Sequence, residues 1–318
     1  MKAKSATSNK SQPVTIVAGP CSIDPDNVLE IMDISQMTVT NANGKKQKAV
    51  AGTRVVGLKS RTELSANGTG MGMDFDFYKS NLKSLLTGGS SKTLKLPPSA
   101  RYTIEIFEKT GMLIATEICS PILQLLPLSG LIPKGKLLPW NPAVMQLGWP
   151  ILEMAEIAKI NGWMVGVKNG KWLGESIVRA ESPNLLNTPP IDKVWSGIST
   201  YTGLDKEDIV LIQRGVETTV KGDYRSMPVH ETARRVKAKT GAKMFFDPSH
   251  SLGPKMRLHI VASTIDAMNI RMPDESYLYD GVLIEVGTSK TDTEQHISLM
   301  ELQDLCDSIS KFRTLSTD

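Results

Sequence analysis

The side chains best suited to chemistry recur here at the ends of short apolar runs. A thiol, Cys21, stands in AGPCSID; an imidazole, His250, in FFDPSHSLGPK; and a carboxylate, Glu285, inside the apolar run VLIEV. A carboxylate in such a run needs a positive partner. Together the three make a mixed soft and hard donor set that suits Zn, Fe, Mn or Co better than Mg or Ca, which prefer all-oxygen sites. Lys59, Arg61, Lys168 and Arg214 follow other runs of the same kind, as do Glu117 and Asp247. Arginine offers a bidentate fork and lysine a point charge, and both suit phosphate and carboxylate. Taken singly, each residue has an ordinary explanation as a buried thiol, a loop histidine or a surface cation. Their shared position relative to the apolar runs is what points to a divalent metal and an anionic substrate.

Something must bring these run ends together. The runs are VTIVA at 14–18, RVVGL at 54–58, MLIAT at 112–116, KLLPW at 136–140, WMVGV at 163–167, DIVLI at 208–212, KMFFD at 243–247 and GVLIEV at 281–286. Near-continuous apolarity without alternation predicts strands of a parallel sheet buried on both faces. Helical stretches are expected at 26–38, 100–110, 143–160, 229–240, 256–270 and 297–313, with Gly162 and Gly241 just past the ends of two of them. Eight strands with helical connections predict a (β/α)8 TIM barrel, whose active site sits on the rim where the strands end. The charged and sulfur-bearing residues all fall on that rim. Two stretches break the rhythm: 65–99, rich in Gly, Ser and Pro, read as a mobile excursion, and 171–205, read as an insert after the fifth strand. The expected organisation is a disordered polar tail over 1–12 and one catalytic barrel over 13–318.

Composition narrows the class. With 40% hydrophobic and 22% charged residues, the 318-residue chain is of ordinary globular make-up. A net charge of +4 is too small and too dispersed to indicate a nucleic-acid partner. Three widely spaced cysteines, Cys21, Cys119 and Cys306, make no disulfide framework and fit a reducing, cytoplasmic setting. No run approaches the roughly 20 apolar residues of a membrane span. The opening MKAKSATSNKSQ lacks the hydrophobic centre of a secretory signal. GVKNGK does not have the spacing of a nucleotide P-loop.

Seven motifs in order, AGPCSID, GLKSRTE, ATEICSP, GVKNG, LIQRG, FFDPSHS and LIEVG, resemble the 3-deoxy-D-arabino-heptulosonate 7-phosphate synthases of class I, and several are shared with the 3-deoxy-D-manno-octulosonate 8-phosphate synthases. The resemblance runs over about residues 14–310. It implies condensation of phosphoenolpyruvate with an aldose phosphate, foremost D-erythrose 4-phosphate, at the start of aromatic amino-acid (shikimate) biosynthesis, on a homo-oligomeric enzyme. It further implies one divalent ion held by Cys21, His250, Glu285 and Asp292. Lys59, Arg61 and Thr62 match an element that meets the aldose phosphate end and, through the arginine, phosphoenolpyruvate. Lys168 and Arg214 would hold the phosphate and carboxylate of phosphoenolpyruvate. A Cys at 21 is similar to the metal-dependent members rather than those carrying Asn.

The chain departs from that pattern at three places. Ser60 replaces a proline, Gly287 stands where a histidine usually follows the metal-binding glutamate, and the Gly-Ala-Arg after the fourth strand is absent, the stretch reading LLPWNPAVMQL. Either another cation stands in for the lost arginine, Lys171 being a better candidate than Lys134 or Lys136, or the enol donor binds weakly, and weakened phosphoenolpyruvate binding is the expectation. Two other readings stay open: a divergent synthase with another aldose phosphate or enol donor, and a catalytically weak barrel with a regulatory or assembly role.

Overall fold

A computed structural model describes residues 12–41, 44–59, 69–87, 96–146, 148–173, 176–183, 190–291 and 293–317. Eight parallel strands close into a barrel in sequence order: β1 (Thr15–Gly19), β2 (Gly52–Arg54), β3 (Leu113–Glu117), β4 (Leu137–Trp140), β5 (Val165–Lys168), β6 (Ile209–Gln213), β7 (Lys243–Phe246) and β8 (Gly281–Glu285). The closing pair is in register from Thr15 with Gly281 to Gly19 with Glu285. That pairing sets the end of the first apolar run beside the Glu285 carboxylate.

All eight expected strands are present. The second is displaced toward its N-terminal end: it pairs through Gly52–Arg54 with Leu113–Ala115 rather than along 54–58. The chain leaves the ladder because the Val56 carbonyl accepts the Ile23 amide (3.0 Å) instead of a neighbouring strand. The six expected helices form as Val28–Gln36, Pro98–Thr110, Gly148–Asn161, His230–Thr240, Ile260–Asn269 (after a 3-10 stretch from Pro254) and Leu299–Ser310. The excursion at 65–99 holds a helix, Phe75–Leu86, which its Gly- and Ser-rich flanks obscure in the sequence. The insert at 171–205 holds a short turn of helix and the longer helix Pro190–Tyr201. A small antiparallel ribbon, Thr38–Thr40 with Lys46–Lys48, was not expected from its charged sequence.

Strand alternation explains what fills the barrel. Val17, Val56, Leu113, Ala115, Leu138, Trp140, Val210, Ile212, Phe245 and Leu283 form its apolar interior. In a strand, residues two apart face the same side. Glu117, Arg214, Asp247 and Glu285 each lie two residues beyond one of these interior positions, so they cap the apolar plug on its C-terminal side. The larger core lies between strands and helices, with Trp163 and Trp195 fully buried. Both indoles donate to backbone carbonyls, Trp163 to Ile132 (3.0 Å) and Trp195 to Val167 (2.9 Å). Among the described residues, no helix is long and apolar enough to cross a membrane.

Candidate active site and metal centre

Among the described residues, six charged groups at or just past the strand ends are buried. Glu285 and Asp247 have no exposure, and Lys168, Lys59, Glu117 and Arg214 are nearly as covered. Burying charges is costly unless they are paired, and most of these are.

Glu285 accepts from Arg54 Nη2 at 2.9 Å, and the Gln295 amide donates to its other oxygen. Its backbone amide donates to the Ser249 hydroxyl at 2.9 Å. Burial by itself would raise the Glu285 carboxyl, but His250, Arg54, His296 and Lys59 outweigh it and hold the group well below the usual carboxylate range. Asp247 receives Lys168 Nζ at 3.0 Å and His250 Nδ1 at 2.9 Å. Burial opposes its charge, and His250 and Lys168 overcome that opposition, so Asp247 too stays ionised. An ionised carboxylate only accepts, which places the His250 proton on Nδ1 and turns Nε2 toward Glu285 Oε1, 3.7 Å away. Burial pushes the His250 pKa down to about 4, keeping the ring neutral, as a metal ligand must be.

Among the described residues, Glu285 thus lies next to both Cys21 and His250. The structure adds a residue the sequence reading passed over. His296 has a ring nitrogen within 4.8 Å of both the Cys21 sulfur and a Glu285 oxygen, and all three side chains are buried. Asp292, Arg61 and Thr62 lie outside the described residues. The donor chemistry of a thiol, neutral imidazoles and an ionised carboxylate fits a divalent transition-metal ion.

The anion-binding cations divide into two kinds. Lys59 sits 3.8 Å from Glu117 and donates to the Cys21 carbonyl at 3.5 Å. Burial acts against its charge, but Cys21 and Glu117 more than offset that and raise its pKa. Lys168 is held by Asp247, although burial still lowers its pKa. Arg214 is different. Its backbone amide donates to Asn169 Oδ1 at 2.7 Å, while its side-chain Nε and Nη1 have no hydrogen-bond partner despite their burial. Burial lowers its pKa to about 10, which still leaves it charged at neutral pH. A buried guanidinium with two unmet donors is built to meet an acceptor.

Lys171, the candidate to stand in for the arginine, pairs with Glu217 at 3.3 Å and lies over the exposed Trp172. Trp140, at the end of β4, is part of the barrel's apolar interior. Arg54 and Lys168 lie 5.5 and 5.4 Å from its ring centroid, a double cation–π arrangement. Arg54 is the cation the sequence reading missed. The signal was the one that identified Glu285, a charge flanked by buried residues in TRVVG.

The loop carrying Gln295 and His296 is anchored from outside. Arg257 Nε donates to the His296 carbonyl at 2.9 Å, and its guanidinium forms a bidentate pair with Glu301. Glu301 also completes a capping box with Ser298 at the start of Leu299–Ser310. The Arg257 hydrogen bond holds the Glu301 pKa down at about 2, below the ordinary 4.5. A depressed carboxyl stabilises the fold above its unfolded value and loses that contribution as pH falls, here between 4.5 and about 2. Because the pair is partly solvated, Glu301→Gln is expected to cost about 1 kcal/mol at neutral pH. Denaturant titrations of wild type and variant should converge as pH falls through that window. A constant gap would show that the charge contributes nothing.

No family model matches the chain. No curated protein matches it either. Solved structures do. One is a phospho-2-dehydro-3-deoxyheptonate aldolase (DAHP synthase) from Thermotoga maritima, 16% identical, with a TM-score of 0.65 over 96% of this chain and 72% of that one. Another is a truncated 3-deoxy-D-arabino-heptulosonate 7-phosphate synthase from the same organism, 15% identical, with a TM-score of 0.59 over 96% of this chain and 90% of that one. At such identities the likeness is one of fold.

Proposed function

We propose that this barrel is a metal-dependent condensing enzyme that joins phosphoenolpyruvate to an aldose phosphate, foremost D-erythrose 4-phosphate, giving a 3-deoxy-2-ulosonate phosphate and inorganic phosphate. The observation that carries this reading is a buried Cys21–Glu285–His296 cluster, with His250 3.7 Å from Glu285, near strand ends that also carry Lys59, Lys168 and the unsatisfied Arg214. The ordered sequence motifs and the fold shared with two synthases support it. The reaction would open the shikimate route in the cytoplasm, with the active protein a homo-oligomer.

Lys168 and Arg214 bind the phosphate and carboxylate of the enol donor, and Arg61 adds a third cation. This fixes the nucleophilic C3 against the aldehyde carbon and lowers the entropic part of the barrier. Lys59, with Thr62, takes the aldose phosphate. Cys21, His250, Glu285 and Asp292 would hold the divalent ion, Mn, Fe, Co or Zn, which would supply Lewis-acid activation of the aldehyde. Buried carboxylates of Glu117 and Asp247 stand within the site as proton-transfer candidates. Water adds at C2, and C–O cleavage releases phosphate.

The test is direct. Chelated protein, reloaded with Mn or Zn, is mixed with phosphoenolpyruvate and a panel of aldose phosphates while phosphate release and the ulosonate product are followed. Product only with metal and with D-erythrose 4-phosphate supports the proposal. Product only with another aldose supports the divergent-synthase reading, which Trp140 in place of the arginine favours. No product with any aldose, in a protein shown to hold metal, overturns the catalytic reading.

Arg214→Met is the cleanest probe of the donor subsite, since among the described residues no ion pair depends on that side chain. It is expected to lower kcat/KM for phosphoenolpyruvate about 10- to 150-fold, with stability nearly unchanged. Equal losses toward both substrates would refute the division of labour between Arg214 and Lys59.

A further inference from the structure

We infer that His296 is itself a ligand of the divalent ion, joining Cys21, His250 and Glu285. This rests on the metal-site reading above and adds a donor that the sequence motifs do not contain.

The ring's hydrogen bonds fix its tautomer. His296 Nδ1 lies 2.9 Å from the Gly287 carbonyl, which can only accept, so the proton is on Nδ1. The Cys21 backbone amide donates to Nε2 at 3.2 Å, which requires a lone pair there. Both neighbours therefore demand the same tautomer, with the Nε2 lone pair accepting the Cys21 amide beside the Cys21 thiol and the Glu285 carboxylate; a bound ion would take that lone pair in place of the amide. A ring nitrogen donating to a backbone carbonyl while its other nitrogen faces a donor cluster is the arrangement of metal-bound histidines. His250 has the equivalent arrangement with Asp247 as its acceptor.

Distances agree. His296 Nε2 is 3.8 Å from Glu285 Oε2, and His250 Nε2 is 3.7 Å from Oε1, so the carboxylate stands between two imidazoles. With metal–ligand bonds of roughly 2.0–2.3 Å, donors around one ion sit about 3–4 Å apart, the spacing each imidazole already has to Glu285.

The backbone holds His296 in place. The Ile297 amide donates to the Glu285 carbonyl (3.1 Å), and the Gly287 amide donates to the Ile297 carbonyl (3.0 Å). The segment is thereby stitched to the end of β8. Gly287 has φ +80°, and a side chain there would lie 2.3 Å from Glu30 Oε2. Glycine at that position lets the turn present its carbonyl to His296 Nδ1.

The second imidazole has a chemical consequence. A second imidazole beside the thiolate shifts the preference toward Zn, Fe or Co and away from Mn, which suits oxygen donors.

The experiment loads chelated full-length protein with Co and, separately, with Zn or Mn, and compares wild type, His296→Gln, His296→Ala and Cys21→Ser. Bound metal per chain, affinity and the cobalt absorption spectrum are read, with circular dichroism recording the fold. Wild type should bind one ion with a thiolate-to-cobalt charge-transfer band. A folded His296 variant should keep that band, change the ligand-field bands and bind Zn more weakly by at least about 100-fold, with a smaller loss for Mn. Wild-type Zn affinity and an unchanged cobalt spectrum in the folded variant, with the band lost in Cys21→Ser, would overturn the His296 assignment and leave the metal centre standing. Unaltered binding and spectra in Cys21→Ser as well would overturn the centre itself. If both single variants unfold, an unshifted ring resonance for His296 in the nuclear magnetic resonance spectrum of the Zn-loaded wild type would overturn the assignment, and a metal-shifted one would support it.

Discussion

Arg54→Met is expected to destabilise the protein by about 3–5 kcal/mol, because it leaves the Glu285 carboxylate buried without its closest counter-charge. Arg54 and Glu285 are both fully buried and 2.9 Å apart. The cost of the single change is that of stranding a charge rather than the net worth of the pair. Arg54 Nε and Nη1 have no partner of their own, so the arginine is itself incompletely solvated by the protein. The double variant Arg54→Met/Glu285→Met should therefore recover most of the lost stability while binding no metal. Urea unfolding of the three proteins decides the matter. If the single variant is as stable as wild type, the buried carboxylate has another source of charge balance and the pair is not what holds it. If the double variant is no more stable than the single one, packing against Trp140 is the larger contribution, since the guanidinium also lies over that ring.

Asp247→Asn should impair two functions with one substitution. The carboxylate neutralises Lys168 and fixes the proton of His250, with both contacts near 3 Å in the barrel interior. Asparagine keeps the shape and an accepting oxygen but removes the charge. A buried Lys168 would then lack its nearest counter-ion, at an expected cost of about 3 kcal/mol in stability. The imidazole would lose a charged acceptor, and metal affinity should fall roughly 10- to 100-fold. Unfolding curves and metal titration on the same preparation separate the two effects. A stability loss with unchanged metal affinity would sever Asp247 from the metal centre. Restoring neutrality with Lys168→Met in the same chain should recover stability but not metal affinity.

The rim pattern and the barrel were legible for one reason. Strands buried on both faces cannot hide a polar residue except at their ends, so Cys21, Lys59, Glu117, Lys168, Arg214, Asp247 and Glu285 stand out against VTIVA, MLIAT, DIVLI and VLIEV. Helix Phe75–Leu86 was obscured because its amphipathic pattern lies between Gly- and Ser-rich flanks.

The local pattern along the chain determined the strand count, the rim and most of the side chains placed there. Only tertiary structure decided which of them meet. Closing the barrel sets β1 against β8, so Glu285, Arg54 and Cys21, far apart in sequence, share one charge network. His296 was invisible because it ends no apolar run. It reaches the centre only because its loop folds back along β8 through the Gly287 and Ile297 backbone. Lys171 has the type and the sequence position for an anion site, yet only the folded chain shows that Glu217 lies 3.3 Å from it. Sequence spacing ranks which residues could act, but pairing energies depend on distance and burial, and those exist only once the chain has closed on itself.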